Sequence, residues 1–403
     1  MNAGTIVHRH LWQRLPRTWR REALFQATAL LAARAWRGAK PAAPIIVAGT
    51  LRTASGLGES ARLCHDALKS ARLPVYGIDL TAGLMQSVDE PDVAFADGSD
   101  LAGPGTIILH VNSPLVPLAL WRLGRRVVRD KYVIGYWAWE LREVPTDWRH
   151  GIPFVHEIWV PSQFTADAVR PICGGRLVRV VPHPVALRDR PAPAPSRSDR
   201  PFTALLIFNI ASSFARKNPL AAITAFRRAF GDDPSCRLIV KTSNAAAFPE
   251  ALGFITDALG SSHNITVIDR VMSANEIDAL YQESDVFMSL HRSEGFGLTV
   301  AESMLRGLPV IATDWSGSVD FLTPETGIPV PYQLVAAEDP QDTYHFPTMS
   351  WAAADVDAAA KALQRLRDEP AFAAQLGQSA AAYARRTWNA ESYASLVRSH
   401  LGL

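Results

Sequence analysis

Two carboxylates eight positions apart, Glu294 and Glu302, stand in the stretch DVFMSLHRSEGFGLTVAESMLRGLPVIATD, residues 285–314. The apolar run ending at Leu290 reads as a buried strand and the glycines at 295 and 297 as a loop. Leu298 to Arg306 reads as a helix capped by Gly307, and Pro309 opens the next strand. Glu294 then lies in the loop at the mouth of a cleft, and Glu302 in the second turn of the helix. The amides of Gly295, Phe296, Gly297 and Leu298 fall between them, at a helix N-terminus where backbone N–H groups favour phosphate oxygens. A ligand with hydroxyls at both ends and a diphosphate in the middle fits this layout. A solvated helix-face carboxylate is the plain alternative for Glu302.

A second stretch, SGLGESAR at 55–62, carries G-x-G-x-x-A. Asp79 ends the next apolar run 23 residues after Gly56, where a dinucleotide-binding fold places its ribose acid. An oxidoreductase would suit that pattern. The fingerprint, however, needs its first glycine in the turn directly after the strand, and six residues, Thr50 to Ser55, separate Gly49 from Gly56. Gly56 and Gly58 still present amides beside a helix N-terminus, so a phosphate site and an ordinary surface turn both remain open readings.

The elements that must position these residues alternate in type. Short β-rich runs at 44–49, 74–80, 106–111, 132–137 and 157–161 are separated by helical segments; Leu57, Ala61, Cys64 and Leu68, for example, recur at helical spacing. A Pro-, Arg- and Ser-rich stretch at 186–201 reads as a linker. Runs at 203–208, 237–241, 265–269, 285–290 and 309–313 repeat the alternation, and an Ala-rich helical end from Asp355 to Leu401 has Trp388 as its anchor. The expectation is an α/β chain of two doubly wound halves, with a cleft between the carboxyl ends of their parallel sheets. Its division is a basic helical extension at 1–43, a first domain at 44–185, the linker, a second domain at 202–375, and C-terminal helices at 376–403 that pack back.

Composition sets the outer limits. Of 403 residues 48% are hydrophobic and 20% charged, which excludes disordered and fibrous classes. Cys64, Cys173 and Cys236 lie far apart without C-x-x-C, so neither a disulfide framework nor a zinc knuckle is indicated, and a reducing cytoplasm fits. His8 and His10 lack further ligands nearby, and the D-x-D at Asp355–Asp357 opens the Ala-rich helix, so no metal and no other cofactor is expected. The net charge of +2 hides an asymmetry, because residues 1–40 hold eight Lys and Arg against one acid, Glu22. That basic start on a mildly acidic body points to an anionic membrane surface rather than to nucleic acid. Its apolar stretch at 23–36 is too short and too polar to span a bilayer. It lines up Ala23, Ala27, Leu30 and Leu31, and reads equally as a membrane-surface helix or as one docked on the protein's own body.

Taken in order, SGLGESAR, GYWAWE (135–140), VPSQF (160–164), VPHPV (181–185), FARKNPLAAITAF (214–226) and the E-x7-E of Glu294 and Glu302 with EGFG, AESM and GLPVIA resemble the retaining glycosyltransferases of family 4. The likeness spans residues 45–395 and implies the GT-B fold, two Rossmann-like domains facing across a cleft, in a bacterial polysaccharide-type member. It further implies transfer of a sugar from a nucleoside diphosphate to an acceptor hydroxyl, without a metal and with retained configuration. By the same resemblance the first domain serves the acceptor and the second the donor: Glu294 bonds the transferred sugar, Glu302 bonds the nucleoside ribose, and Lys217 neutralises the diphosphate. Gly56 and Gly58 approach that diphosphate from the opposite domain. LHRSEGFGL and DWSGSVDFL are similar to members acting on mannose, which implies GDP-mannose as donor and a saccharide or lipid-linked saccharide as acceptor. A cytoplasmic enzyme waiting at the inner membrane face would suit such an acceptor.

Two departures qualify the carry-over. Many relatives place an arginine where Ala211 and Ser212 stand, leaving Arg216, Arg52 or Arg292 as the second phosphate cation. Many also place a histidine where this chain has Trp137. Tyr136, Trp137, Trp139 and Glu140 then form either an aromatic wall with an acid for the acceptor sugar or part of the domain core, and His110 ends a strand facing the cleft, either assisting there or satisfied structurally. The rival readings are a non-catalytic sugar-nucleotide-binding subunit and an NAD-dependent oxidoreductase.

Overall fold

A computed structural model describes residues 25–34, 36–90, 92–187 and 200–403. Expectations for residues 1–24, with most of the basic segment, and for most of the linker lie outside them.

The first half comprises β1 (Ile45–Gly49), α1 (Gly56–Ser70), β2 (Val75–Asp79), β3 (Gly105–His110), α2 (Val116–Leu123), β4 (Lys131–Tyr136), β5 (Glu157–Val160), α3 (Gln163–Val169) and β6 (Leu177–Val180). The strands form one parallel sheet in the order β2-β1-β3-β4-β5-β6. Every residue of β1 and β3 is buried, as expected of a parallel sheet covered on both faces. Ile45 and Val47 point into the core under α1, while Ile46 and Ala48 point into the opposite core, the period-2 alternation of a strand.

The second half comprises β7 (Phe202–Ile207), α4 (Phe214–Lys217), α5 (Pro219–Phe230), β8 (Cys236–Thr242), α6 (Glu250–Leu259), β9 (Ile265–Asp269), α7 (Ala274–Gln282), β10 (Val286–Ser289), α8 (Leu298–Leu305), β11 (Val310–Thr313) and β12 (Ile328–Val330). Its parallel sheet runs β12-β11-β10-β7-β8-β9. An antiparallel hairpin follows, β13 (Tyr332–Ala337) with β14 (Phe346–Ala354), and then α9 (Val356–Asp368), α10 (Pro370–Thr387) and α11 (Ala390–Leu401).

The strands expected from sequence are present at nearly their expected places; β6, β12 and the hairpin are additions to that reading. The expected boundary at 376 falls inside α10, which packs on α8 of the second half. Only α11 returns: it rests on α1, with Arg398 Nη2 donating to Ala71 O at 3.0 Å and Tyr393, Ala394 and Val397 in the core with Cys64 and Leu68. Asp355 caps α9, its carboxylate accepting from the amides of Asp357 and Ala358. At the other end of the chain, residues 25–31 are helical, but Phe25, Thr28 and Ala32 are buried, whereas Leu30 is 83% and Leu31 50% exposed. Of the expected stripe, Ala27, Leu30 and Leu31 face away from the docked side, because the ring of Phe25 against His150 sets the helix rotation, and Ala23 lies outside the described residues. Among the described residues no helix is long and apolar enough to cross a membrane.

Trp388 sits where the chain leaves the second half. Its ring meets Phe296, Phe321 and Tyr383 at centroid distances of 5.9, 4.9 and 5.6 Å, and its carbonyl accepts from the Val185 amide at 3.1 Å. Truncating a buried Trp removes about 3–5 kcal/mol. Trp388→Ala should lower the thermal midpoint markedly while leaving the far-ultraviolet circular dichroism of the folded state unchanged.

Candidate active site

In each sheet the chain reverses its winding at one strand. β1 lies between β2 and β3, and β7 lies between β8 and β10. At such a point the connections leave in opposite directions and open a crevice at the carboxyl ends of the strands. The short helix α4 after β7 carries Lys217, the loop after β10 carries Glu294, and the helix α1 after β1 begins at Gly56. Both stretches singled out by their spacing thus lie at the topological switch points.

Glu294 is buried. Lys217 Nζ donates to its Oε1 at 2.5 Å, and Arg216 Nη1 lies 3.1 Å from Oε2. Burial would push the carboxyl up, but Lys217 and Arg216 together bring it down to about 2, so it is ionised at any ordinary pH. Burial in turn draws Lys217 below the usual lysine range, opposed chiefly by Glu294.

The backbone around this trio is held in uncommon conformations. Ser213 (φ +73°) and Asn218 (φ +51°) bracket α4, and Ser316 (φ +72°) stands opposite Glu294. Each has a local bond that fixes it. Ser213 Oγ accepts from the Arg216 amide at 3.2 Å, Asn218 Nδ2 donates to Leu290 O at 2.8 Å, and Ser316 Oγ accepts from the Glu294 amide at 2.8 Å. Gly297 (φ +97°) precedes α8, whose N-terminus has no side-chain cap, so its first-turn amides are open to a ligand.

Arg216 is buried and fully engaged, donating from Nη1 to Ser293 O at 2.8 Å and from Nη2 to Ser212 O at 2.8 Å. It is thus turned onto Glu294 and these carbonyls, not outward as the expected phosphate-facing cation. Of the alternatives, Arg52 stacks over Phe95 at 5.6 Å and Arg292 over Trp351 at 5.6 Å.

Glu302 is joined to Tyr281, whose hydroxyl donates to Oε2 at 3.2 Å. Burial pushes its carboxyl up to about 7, with Arg306 opposing and Glu59 of α1 adding to the rise. That influence of Glu59 brings the start of α1 into electrostatic reach of the second half. Contact is direct at Asn209, whose Nδ2 donates to Ala54 O at 3.4 Å. α1 begins at Gly56 with Ser55 as its cap, Oγ accepting from the Gly58 amide at 3.2 Å. A Cβ on Gly58 would lie 2.4 Å from Thr53 O, whereas one on Gly56 would meet nothing within 4 Å. Gly58 therefore lets the loop fold on itself, and Gly56 leaves the approach open.

The halves also meet at Gly295, whose carbonyl accepts from Ser162 Oγ at 2.6 Å, and Asp320 accepts from the Gln163 amide at 2.7 Å. Phe296 contributes only its backbone to the loop, since its ring is buried among Phe321, Trp388 and His183; Leu298 is half-buried.

The aromatic wall is corrected. Trp137 is fully buried, edge-on to Trp148. Trp139 is enclosed by Trp148, Tyr344 and Phe346. Neither ring leaves a face for a sugar, because the hairpin, unread from sequence, covers them. Glu140 is half-buried and accepts from Tyr344. His110 is buried rather than cleft-facing: it stacks on Tyr136 at 4.5 Å and pairs through Nδ1 with Ser60 Oγ at 2.8 Å, and burial holds its pKa well below the usual range. Among residues the sequence reading did not single out, Ser316 and Tyr344 contact the trio, and His291 lies beside it, kept neutral near neutral pH because burial brings its pKa down to about 4. Among the described residues no group of three or more His, Cys, Asp or Glu is placed to hold a metal ion.

Residues 196–332 match the model of the family Glycosyl transferases group 1, and the two parallel six-stranded sheets have the GT-B fold. A stretch of 77 residues is 38% identical to the lipopolysaccharide core biosynthesis mannosyltransferase LpsB of Rhizobium meliloti (strain 1021), covering 18% of this chain and 20% of that protein. The chain thus aligns with only about a fifth of the length of that curated relative. Among solved structures, sucrose-phosphate synthase from Thermosynechococcus elongatus superposes with a TM-score of 0.62 at 16% identity, over 89% of this chain and 100% of that one. Anabaena HepE in complex with UDP-glucose gives 0.60 at 14% identity, over 89% and 99%. Staphylococcus aureus TarM, solved with UDP, gives 0.55 at 12%, over 74% of this chain and 55% of that one. At these identities the likeness is one of fold.

The raised Glu302 carboxyl has a signed consequence. The folded state favours its protonated form, so its contribution to stability is complete below the ordinary carboxylate range and is lost as pH rises through about 7. Glu302→Gln should therefore match the wild type in thermal midpoint at about pH 4 and exceed it at about pH 8. Parallel curves across that range would contradict a half-buried, reluctantly ionised Glu302.

Proposed function

We propose that the chain is a retaining hexosyltransferase of family 4 that takes a nucleoside diphosphate sugar and glycosylates a saccharide or lipid-linked saccharide acceptor. The observation that carries this reading is the buried Glu294 held ionised between Arg216 and Lys217, at a switch point and beside an uncapped helix N-terminus. Hydroxyls of the transferred sugar donate to Glu294, each bond to a charged group contributing about 1.5–3 kcal/mol. Glu302 accepts from the ribose. The diphosphate lies between Lys217, the first amides of α8 and the start of α1 at Gly56.

In the reaction the anomeric carbon–oxygen bond to the diphosphate breaks as the acceptor oxygen bonds the same carbon from the same face. The departing phosphate oxygen takes the acceptor proton. Lys217 and the helix N-terminus stabilise the charge that grows on the diphosphate, so the protein's contribution is alignment and electrostatics, without a metal. Mannose from GDP-mannose is the favoured donor, supported by the stretch shared with a protein named as a mannosyltransferase; UDP in several neighbours of the same fold makes uridine sugars the competing choice. A role in cell-surface polysaccharide synthesis, in the cytoplasm at the inner membrane face, completes the reading, with the basic residues of 1–40 meeting anionic lipid.

A thermal-shift panel of GDP-, UDP- and ADP-sugars decides the matter. One nucleotide should stabilise the wild type clearly more than Glu302→Ala, and if none shifts either protein the donor-site reading fails. Binding without transfer or slow donor hydrolysis would identify a non-catalytic subunit instead. With an active donor, Lys217→Ala should lower kcat by about 100-fold or more.

A further inference from the structure

The hairpin β13–β14 leaves the second half and packs into the first: Ala337, Tyr344 and Trp351 belong to the core that holds Trp137, Trp139 and Trp148. Its tip is built on buried Asp339, whose carboxylate accepts from the amides of Gln341, Thr343 and Tyr344 at 3.2, 3.2 and 3.0 Å. From that tip Gln341 grips the segment that carries both cations. Its Oε1 accepts from the Phe214 amide at 2.5 Å, and its Nε2 donates to Ile210 O at 2.9 Å. Tyr344 is buried, with the Arg216 guanidinium 5.2 Å from its ring centroid, its hydroxyl donating to Glu140 Oε2 at 2.7 Å, and Trp139 packed against it at 5.2 Å. Three segments remote in sequence, 139–140, 339–344 and 210–217, therefore converge on Arg216.

We propose that Tyr344 is a positioning residue for glycosyl transfer: with Glu140 it holds Arg216 against Glu294 and so fixes where the sugar-binding carboxylate and Lys217 stand. This inference rests on the function proposed above. A cation over an aromatic face is attracted to the ring, and here the ring is itself anchored by its hydroxyl to a carboxylate of the opposite half. Arg216 cannot swing toward solvent without giving up Ser212, Ser293, Glu294 and this face at once. The charged and titratable groups around Lys217 and Arg216 are Glu294, Glu140, Tyr344 and the neutral His291, besides each other. Glu294 and Glu140 both favour the protonated form of Lys217 against burial. Removing the Glu140 charge leaves one carboxylate to do so, and Lys217 then loses its proton at lower pH.

Three variants separate the parts. Tyr344→Phe removes the hydroxyl and keeps the ring, Tyr344→Leu removes both, and Glu140→Gln removes the charge and keeps the shape. With the nucleotide sugar used by the wild type, Tyr344→Phe should lower kcat about tenfold with KM for that sugar within about twofold, the pattern of an interaction made in the transition state. Tyr344→Leu should lower kcat further. Glu140→Gln should move the alkaline limb of kcat against pH to lower pH. Thermal midpoints of all three read folding separately. Wild-type kcat in both Tyr344→Phe and Tyr344→Leu overturns the inference, whatever the alkaline limb of Glu140→Gln does. So does a loss of kcat that merely follows a loss of folded protein while that limb stays put. A wild type that neither binds nor transfers any nucleotide sugar overturns instead the function from which the inference starts.

Discussion

The second half's site depends on keeping one carboxylate, Glu294, charged where little water reaches it. An isolated buried carboxylate would neutralise itself by taking a proton; here Lys217 and Arg216 flank it within salt-bridge distance, and it does not. Within the trio two cations share the one carboxylate, with Glu140 beyond Tyr344 as the next negative charge. Breaking a buried ion pair from one side is far more damaging than never building it, so the surrounding loops have to hold all three members in place together.

They do so at a local expense. Ser213, Asn218 and Ser316 adopt left-handed backbone conformations that L residues avoid, at roughly 1–3 kcal/mol each. Asn218 and Ser316 are each fixed by a hydrogen bond to a neighbouring loop, where two segments must approach closely, and Ser213 by capping the first turn of α4. Gly317 belongs to the same pattern, since a Cβ there would lie 2.2 Å from Gly295 O. The site is thus a place where local preference yields to the geometry of the switch point.

Both sheets, the switch-point loops and the two carboxylates were legible in sequence because each leaves a short-range signature: a β-rich run, a glycine before a helix, a capped helix end. Long-range relations leave none. That Arg216 stands behind Glu294 rather than toward the cleft follows from Ser212 and Ser293 carbonyls, which no spacing rule announces. The tryptophans of GYWAWE read as a wall or as core, and what decided between them was a hairpin more than 190 residues later in the chain. Its own signal was present in DPQD at 339–342, a turn sequence between two β-prone runs, yet it lay inside what read as an ordinary domain. Residues 25–31 failed for a related reason: a periodic stripe shows that a helix has two faces, and only Phe25 finding His150 shows which is inside.

The return of α11 to α1 gives the chain the topology of a closed clasp. The path goes from the first half to the second, and its last helix comes back to rest on Ala61, Cys64 and Leu68. A single break between Leu187 and Arg200 would therefore not yield two independent bodies; the second fragment would still carry part of the first one's core. Either half made alone would be born with an exposed apolar seam, the first lacking the cover of Tyr393, Ala394 and Val397, the second displaying them. Gene fusions, truncations and domain swaps between relatives of this fold must for that reason move the last dozen residues with the first half, although they are encoded at the far end.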